Sequence, residues 1–278
     1  MALLVMVAGP NGSGKSTLIA ALRSDPVIGP SLPAAYINAD DIQRETGADA
    51  AGAQHAAAEL RARALAERRD VMYETVMSHP SKLAELQQAR AAGYELHVFF
   101  LATEDASINV QRVALRVAAG GHDVPEARTR QRYERTLALA PAAIGLADRA
   151  FVYDNSSGSH GIQLQAQLVG ERLVPMTAAP ARWVQLLVSR VNERADELRS
   201  LHERARARAE ALTHARLAAA ESRGPLQVLG THYLVQRDLA GDAWVVHDRA
   251  LLPGAQHLVQ GAAYRVVYVE GAGAVVAL

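Results

Sequence analysis

From Met1 to about Asp154, short apolar runs alternate with stretches of helical period, the pattern of a parallel sheet flanked by helices. The strand-like runs are Leu3 to Ala8, Ala35 to Asn38, Val71 to Thr75, Leu96 to Ala102 and Ala150 to Tyr153, each rich in branched or aromatic residues. Helical patterns separate them at Lys15 to Arg23, roughly Ala50 to Arg69, Ser81 to Ala92 and Ala106 to Ala119. Gly93 and Gly120 stand where helix-terminating glycines belong. A further helix is expected to begin near Pro125, with Asp123 as its cap, and to run to about Ala140. Alternation of Ile162, Leu164, Ala166 and Leu168 predicts an edge strand that completes the first domain.

After Pro175 and Pro180 the pattern changes. A single long helix is expected from Arg182 to Ser222, with a heptad register through Val184, Leu187, Val191, Leu198, Leu201, Ala205, Leu212 and Ala215. Arg194 and Arg208 fall on the same seam, which a long coiled coil tolerates poorly, so a helix-pair connector or a stalk on the first domain competes with a dimerising coiled coil. Gly224 and Pro225 would end that helix. Strand-like runs follow at Gln227 to Gln236, Ala243 to Val246, Tyr264 to Val269 and Ala274 to Leu278, with turns at Gly241-Asp242 and Gly271-Ala272-Gly273. The expected division is therefore a sheet domain over 1–180, a helical connector over 181–223 and a small β module over 224–278.

Composition narrows the chemistry. The 278 residues suffice for about two domains. The 29 basic and 29 acidic residues balance, so no global field draws nucleic acid or lipid to the surface. Cysteine is absent, which excludes disulfides, thiolate nucleophiles and cysteine-held metals. The apolar opening lacks a basic n-region, and no apolar stretch approaches the ~18 residues of a membrane span, so a cytoplasmic protein is expected. Lys15 and Lys82 are the only lysines, all other basic residues being arginine.

Lys15 lies in the segment Gly9, Pro10, Asn11, Gly12, Ser13, Gly14, Lys15, Ser16 and Thr17, which satisfies G-x-x-x-x-G-K-[ST] between a predicted strand and a predicted helix. The glycines let successive N–H groups converge on phosphate oxygens, and the helix N-terminus adds its partial positive charge. Lys15 is expected to bridge the β- and γ-phosphates of ATP, and the Ser16 hydroxyl to ligate Mg²⁺.

Other candidates lie at strand ends, where ligands of open parallel sheets bind. Asp40, after Tyr36-Ile37-Asn38-Ala39, is placed to take a proton from an attacking hydroxyl; the competing reading is that Asp40 or Asp41 only caps the next helix, and both roles could coexist, one per carboxylate. Glu74 and Thr75 end the third strand, and Glu74 could hold a substrate hydroxyl or a water on Mg²⁺. The segment from Gly120 to Arg135 reads as a lid, with Arg128, Arg130, Arg132 and Arg135 on a helix behind two glycines and Arg116 on the preceding helix. His122 reads as a turn or substrate contact, since no second histidine stands at ligand spacing. Asp154-Asn155-Ser156 would lie near an adenine or form a plain Asx turn.

Together, GPNGSGKST, Asn38-Ala39-Asp40, Glu74-Thr75, the 120–135 lid and Asp154-Asn155 resemble the zeta toxin family of P-loop kinases, in its compact branch, over roughly Met1 to Trp183. The resemblance implies an α/β fold with a P-loop kinase-like parallel sheet flanked by helices, here followed by a long helix and a small C-terminal β module. It implies a toxin with an antitoxin partner that transfers the ATP γ-phosphate to the amino sugar of UDP-N-acetylglucosamine. By position, Lys15 and Ser16 would hold ATP and Mg²⁺, Asp40 would be the general base, Glu74 with Thr75 would bind substrate, and lid arginines would stabilise the transferred group. Arg116 and Arg132 are the first choices among those arginines and Arg128 the next. The last module faintly resembles the small β domain of KfrB-like plasmid proteins, with its histidines expected in packing rather than ligation. A kinase of another small-molecule hydroxyl and a nucleotide-dependent switch are the competing readings.

Overall fold

The computed structural model describes residues 1–278 except 121–123, 159, 241–242 and 254. It divides into two compact units, one of residues 1–78 and 89–188, the other of 79–88 and 189–278. The expected Asp123 cap, the His122 contact and the Gly241-Asp242 turn lie outside the described residues.

The first unit is built on a seven-stranded sheet. Its strands are β1 (Leu3–Ala8), β2 (Tyr36–Ile37), β3 (Val71–Thr75), β4 (Glu95–Ala102), β5 (Arg149–Asp154), β6 (Gln163–Val169) and β7 (Arg172–Pro175), in the order β2-β3-β1-β4-β5-β6-β7. The first five are parallel, and β6 and β7 close one edge antiparallel. β1 is apolar without alternation because both of its faces are buried, as in parallel strands with helices on both sides of the sheet. The segment 162–174, expected as one edge strand, is a hairpin whose turn is made by Gly170 at φ +61°, and β7 is the edge.

Helices α1 (Lys15–Ser24), α2 (Ala39–Thr46), α3 (Ala50–Ala66), α4 (Ser81–Ala91), α5 (Ala106–Ala118) and α6 (Glu126–Leu146) connect the strands. Leu18, Ile19 and Leu22 of α1 pack on Val5, Val7, Met72, Phe99 and Leu101. Truncating one such leucine to alanine costs about 2–5 kcal/mol. α6 passes its expected end and runs through Pro141, because Leu139, Ala140, Ala142, Ala143 and Ile144 are all buried and their packing offsets the missing N–H. β2 is only two residues long because Asn38 leaves the strand to cap α2, its side chain accepting from the Asp40 N–H.

In the second unit the expected helix to Ser222 is overturned. α7 (Arg182–Ala207) ends two residues before Ala209, which adopts φ +55°, and the chain enters a six-stranded sheet of β8 (Leu212–His214), β9 (Ala219–Leu229), β10 (Tyr233–Asp238), β11 (Ala243–Asp248), β12 (Ala263–Val269) and β13 (Ala272–Ala277), in the order β13-β12-β9-β10-β11-β8. Gly224 and Pro225, expected to end a helix, sit inside β9. A Cβ on Gly224 would lie 2.0 Å from the Arg237 carbonyl of β10, so only glycine fits there. Gln227 to Gln236 is not one strand but the turn of the β9–β10 hairpin with its flanks. Helix-favouring alanine and arginine over 208–222 yield to pairing with β11 and β12.

The heptad positions Val184, Leu187, Val191, Leu201 and Ala205 are buried. Leu198 and Leu201 pack on Tyr233, Val235, Trp244 and Val246. Arg194, awkward on a coiled-coil seam, is buried beside Asp248, which holds its guanidinium bidentately, and stacks 4.8 Å from the Tyr233 ring centroid. Arg208 lies 5.3 Å over Trp244.

Candidate active site

The loop after β1 ends in Gly14, at φ +100°, and α1 starts there with no side-chain cap. By contrast, Asn38, Asp49 and Asp105 each cap their helices with a side-chain oxygen. The first N–H groups of α1 are thus left to a ligand, and no acidic residue of its first turn opposes an anion. The glycines are required by close approaches: a Cβ on Gly9 would meet the Leu101 carbonyl at 2.0 Å, and one on Gly12 the Asn109 carbonyl at 2.7 Å. Ser13 Oγ is fully buried within the loop with no hydrogen-bond partner, while Asn155 Nδ2 donates to the Ser13 carbonyl at 2.7 Å.

Lys15 is 6% exposed and reaches back to donate to the Pro10 carbonyl at 3.0 Å. Burial pushes its ammonium below the ordinary lysine value, the charges of Glu74 and Asp40 draw it back, and Arg116 pushes it further down. The charges of Asp40 and Arg116 are therefore both felt at the loop lysine. Asp40 is exposed in the first turn of α2, and Asn38 is the cap, so neither Asp40 nor Asp41 is; Asp41 pairs with Arg44 at 2.6 Å.

Glu74, at the end of β3, is the hub of the cluster. Its Oε2 accepts from Ser16 Oγ and from the Tyr36 hydroxyl at 3.2 Å each and from Asn38 Nδ2 at 3.5 Å, and its Oε1 lies 3.7 Å from Lys15 Nζ. Asn38 Nδ2 also donates to the Tyr36 oxygen at 3.0 Å. Burial, then the Glu74 charge, pushes the Tyr36 phenol well above its ordinary value, which keeps it a proton donor to the carboxylate. The ring of Tyr36 lies under the Arg23 guanidinium at 5.1 Å. Tyr36 was missed as a site residue; the alternation of its strand marks it only as semi-buried.

Thr75 does not join the cluster. Its hydroxyl accepts from the Met77 N–H at 3.1 Å, in a turn where Met77 takes φ +54°, and its carbonyl accepts from Gly9 N–H at 3.2 Å. Of the lid arginines, Arg132 reaches the loop, donating from Nη1 to Asn11 Oδ1 at 3.3 Å. Burial and the like charge of Arg128 lower its pKa. Arg128 and Arg135 are exposed, and Arg130 pairs with Glu126 at 2.8 Å. Asp154 makes the Asx turn, accepting from Ser156 N–H at 3.1 Å, and also accepts from Trp183 Nε1 at 2.7 Å.

A family profile described as Zeta toxin matches residues 2–157, which carry the loop, Asp40, Glu74 and both arginine-bearing helices. The chain belongs to the zeta toxin family. The expected sheet flanked by helices is present. The family match ends before the second sheet and so does not bear on the KfrB-like resemblance. Comparison with curated protein sequences gave no match. Among solved structures, a chain of the native AvrRxo1-ORF1:-ORF2 complex is 14% identical with a TM-score of 0.50, over 69% of this chain and 64% of that one. A chain of the PezAT chromosomal toxin-antitoxin system of Streptococcus pneumoniae is 15% identical with a TM-score of 0.41, over 69% of this chain and 87% of that one. A gluconokinase from Sinorhizobium meliloti 1021 is 15% identical with a TM-score of 0.34, over 72% and 97%. This zeta toxin homologue thus spans less than two thirds of the AvrRxo1 complex chain, and likeness at these identities concerns the fold. Among the described residues no helix is long and apolar enough to cross a membrane, and no group of three His, Asp or Glu could hold a metal.

Proposed function

We propose that this protein transfers the γ-phosphate of ATP to a hydroxyl of a UDP-activated amino sugar, with UDP-N-acetylglucosamine as the first acceptor to test, and that it acts as a toxin with a cognate antitoxin. The observation that carries the reading is the meeting of a phosphate loop, the Lys15 ammonium and the Glu74 carboxylate, with the Asp40 charge felt at the same lysine. The residues present fit a nucleotide: the uncapped α1, the orphaned Ser13 hydroxyl and the glycine cradle all suit a polyphosphate.

In this reading the loop from Gly9 to Thr17 binds the phosphates through backbone N–H groups. Lys15 leaves the Pro10 carbonyl for phosphate oxygens. Ser16 is the residue that would ligate Mg²⁺, which when bound neutralises charge on the phosphates. Asp40, exposed at the rim, accepts the proton of the attacking hydroxyl. Glu74 orients the acceptor, or a water beside Ser16, with its own orientation set by Tyr36 and Asn38. Arg132, with Arg116 and then Arg128, neutralises charge on the transferred group.

The test is incubation with γ-labelled ATP and a panel of UDP-sugars, with Lys15→Ala as control. A phosphorylated UDP-sugar formed by the intact protein alone supports the proposal. Label transferred to a different acceptor in cell extract would replace the sugar, and phosphate release with no phosphorylated acceptor in any extract would favour a nucleotide-dependent switch.

A further inference from the structure

Asn11 of the phosphate loop is gripped at both ends. Its side-chain oxygen accepts from Arg132 of α6, while its backbone carbonyl accepts from Asn109 Nδ2 of α5 at 2.6 Å. Asn109 is completely buried, and the backbone of Gly12 packs against its main chain so closely that no Cβ could intervene. The other end of the Asn109 amide, Oδ1, accepts from the Thr103 hydroxyl just beyond β4, and Thr103 is completely buried too. The Thr103 carbonyl accepts from the Tyr133 hydroxyl at 2.6 Å. Tyr133 is the residue after Arg132, and burial pushes its phenol above the ordinary value, so the hydroxyl stays a donor.

These contacts close a ring: Asn11, Asn109, Thr103, Tyr133, and back through the chain to Arg132 and Asn11. The Thr103–Asn109 and Tyr133–Thr103 bonds are buried, while the Asn109 bond to the loop and the Arg132 contact are partly buried. Asn109 ties α5 to the loop, and Tyr133 ties α6 to the end of β4. We propose that Asn109 and Tyr133 are positioning residues that register the arginine of α6 against the phosphate loop, so that Arg132 is delivered to the transferring phosphoryl group when it releases the Asn11 side chain. The inference rests on the proposed role of Arg132 in transfer.

Buried polar side chains with two fixed partners serve this purpose well, because a half-made network in a dry site costs more than none, and the ring is held in one arrangement. Asn109 offers both a donor and an acceptor, which neither aspartate nor leucine of similar size can do. A merely structural role would lower the melting temperature and leave the chemistry of the folded fraction untouched.

The experiment is a double-mutant cycle on the full chain, with Tyr133→Phe, Asn109→Ala and Arg132→Ala, reading ATP affinity with a fluorescent ATP analogue and single-turnover ADP formation. Tyr133→Phe removes one hydroxyl and keeps the ring. It is expected to slow turnover roughly tenfold, the weight of one buried hydrogen bond, with nucleotide affinity within about twofold of the parent. In the Arg132→Ala background the same change is expected to have no further effect. If the two losses multiply independently, or if Tyr133→Phe weakens nucleotide binding in step with turnover, the positioning role is overturned although Arg132 keeps its own. If Arg132→Ala turns over normally, the lid assignment and the inference fall together. Should Asn109→Ala not fold, Tyr133→Phe alone decides.

Discussion

The molecule holds two polar clusters of similar size that are finished to different degrees. In the second sheet, Ser222, Gln236, His247 and Tyr268 are buried and satisfied in a single direction. The Tyr268 hydroxyl faces His247 Nδ1 at 3.2 Å, His247 Nε2 faces Ser222 Oγ at 3.4 Å, Ser222 donates to Gln236 Oε1 at 2.7 Å, and Gln236 Nε2 donates to the carbonyls of Gly224 and Tyr264. At the phosphate loop, one carboxylate oxygen of Glu74 takes donors from Ser16, Tyr36 and Asn38, Lys15 leans on a carbonyl, and Ser13 Oγ has no partner. The closed network specifies a fold; the open one keeps groups ready to exchange protein partners for a ligand's.

That contrast is broken most severely at the open cluster. Arg132→Ala is expected to lower turnover by ~10³ or more while the nucleotide still binds, since an arginine at the transferred phosphoryl is worth that much; rapid-quench measurement against equilibrium binding reads the split. Asp40→Asn is expected to cost ~10² to 10⁴ in turnover with unchanged nucleotide affinity, the range of general base catalysis. Retained activity in this variant would place the base elsewhere.

The closed cluster should respond in stability and not in catalysis. Burial holds His247 neutral, its pKa lowered from 6.5 to about 4. The unfolded chain takes up that proton near pH 6.5 and the folded one only near 4, so the contribution is fully present above about pH 6.5 and drains away as pH falls toward 4. Across that window it amounts to roughly 3 kcal/mol. Denaturant titrations at pH 7 and pH 4.5 should show the loss, and His247→Gln should flatten it. Gln236→Leu strands two carbonyls and the Ser222 hydroxyl, and should cost about 2 kcal/mol or more by chemical denaturation. Smallest of all, Arg130→Ala should change stability by less than about 0.5 kcal/mol and leave turnover as it was, because its ion pair with Glu126 is solvent-exposed.

Much of the catalytic unit was legible in the chain. The phosphate loop announces itself by residue type and spacing. Strand ends were readable because buried parallel strands are continuous apolar runs, so Asp40 and Glu74 stood out as polar residues where the run stops. What the chain did not disclose were partners distant in sequence. Tyr36 and Asn38 reach Glu74 only once β2 lies beside β3, and Asn109, on a helix of ordinary composition, gains meaning only when its amide meets the loop 98 residues away. The Thr75 hydroxyl accepts from the Met77 N–H in a turn, a local partner that its strand-end position did not disclose. The stretch 208–222 misled because alanine and arginine favour helix locally, whereas pairing with β11 and β12 is non-local and decides the outcome. Even there Arg194 gave a fair warning: a charge on an apolar seam announces a specific counter-ion, which turned out to be Asp248.

The bare amino end of α1 has one more consequence. Since this turn of backbone is left for a guest to complete, every guest that docks there draws the folded state downhill by an amount set by its concentration relative to its affinity. A simple melting curve then becomes a gauge of occupancy, and a cell short of triphosphate would hold this protein nearer its own breaking point than a well-fed one.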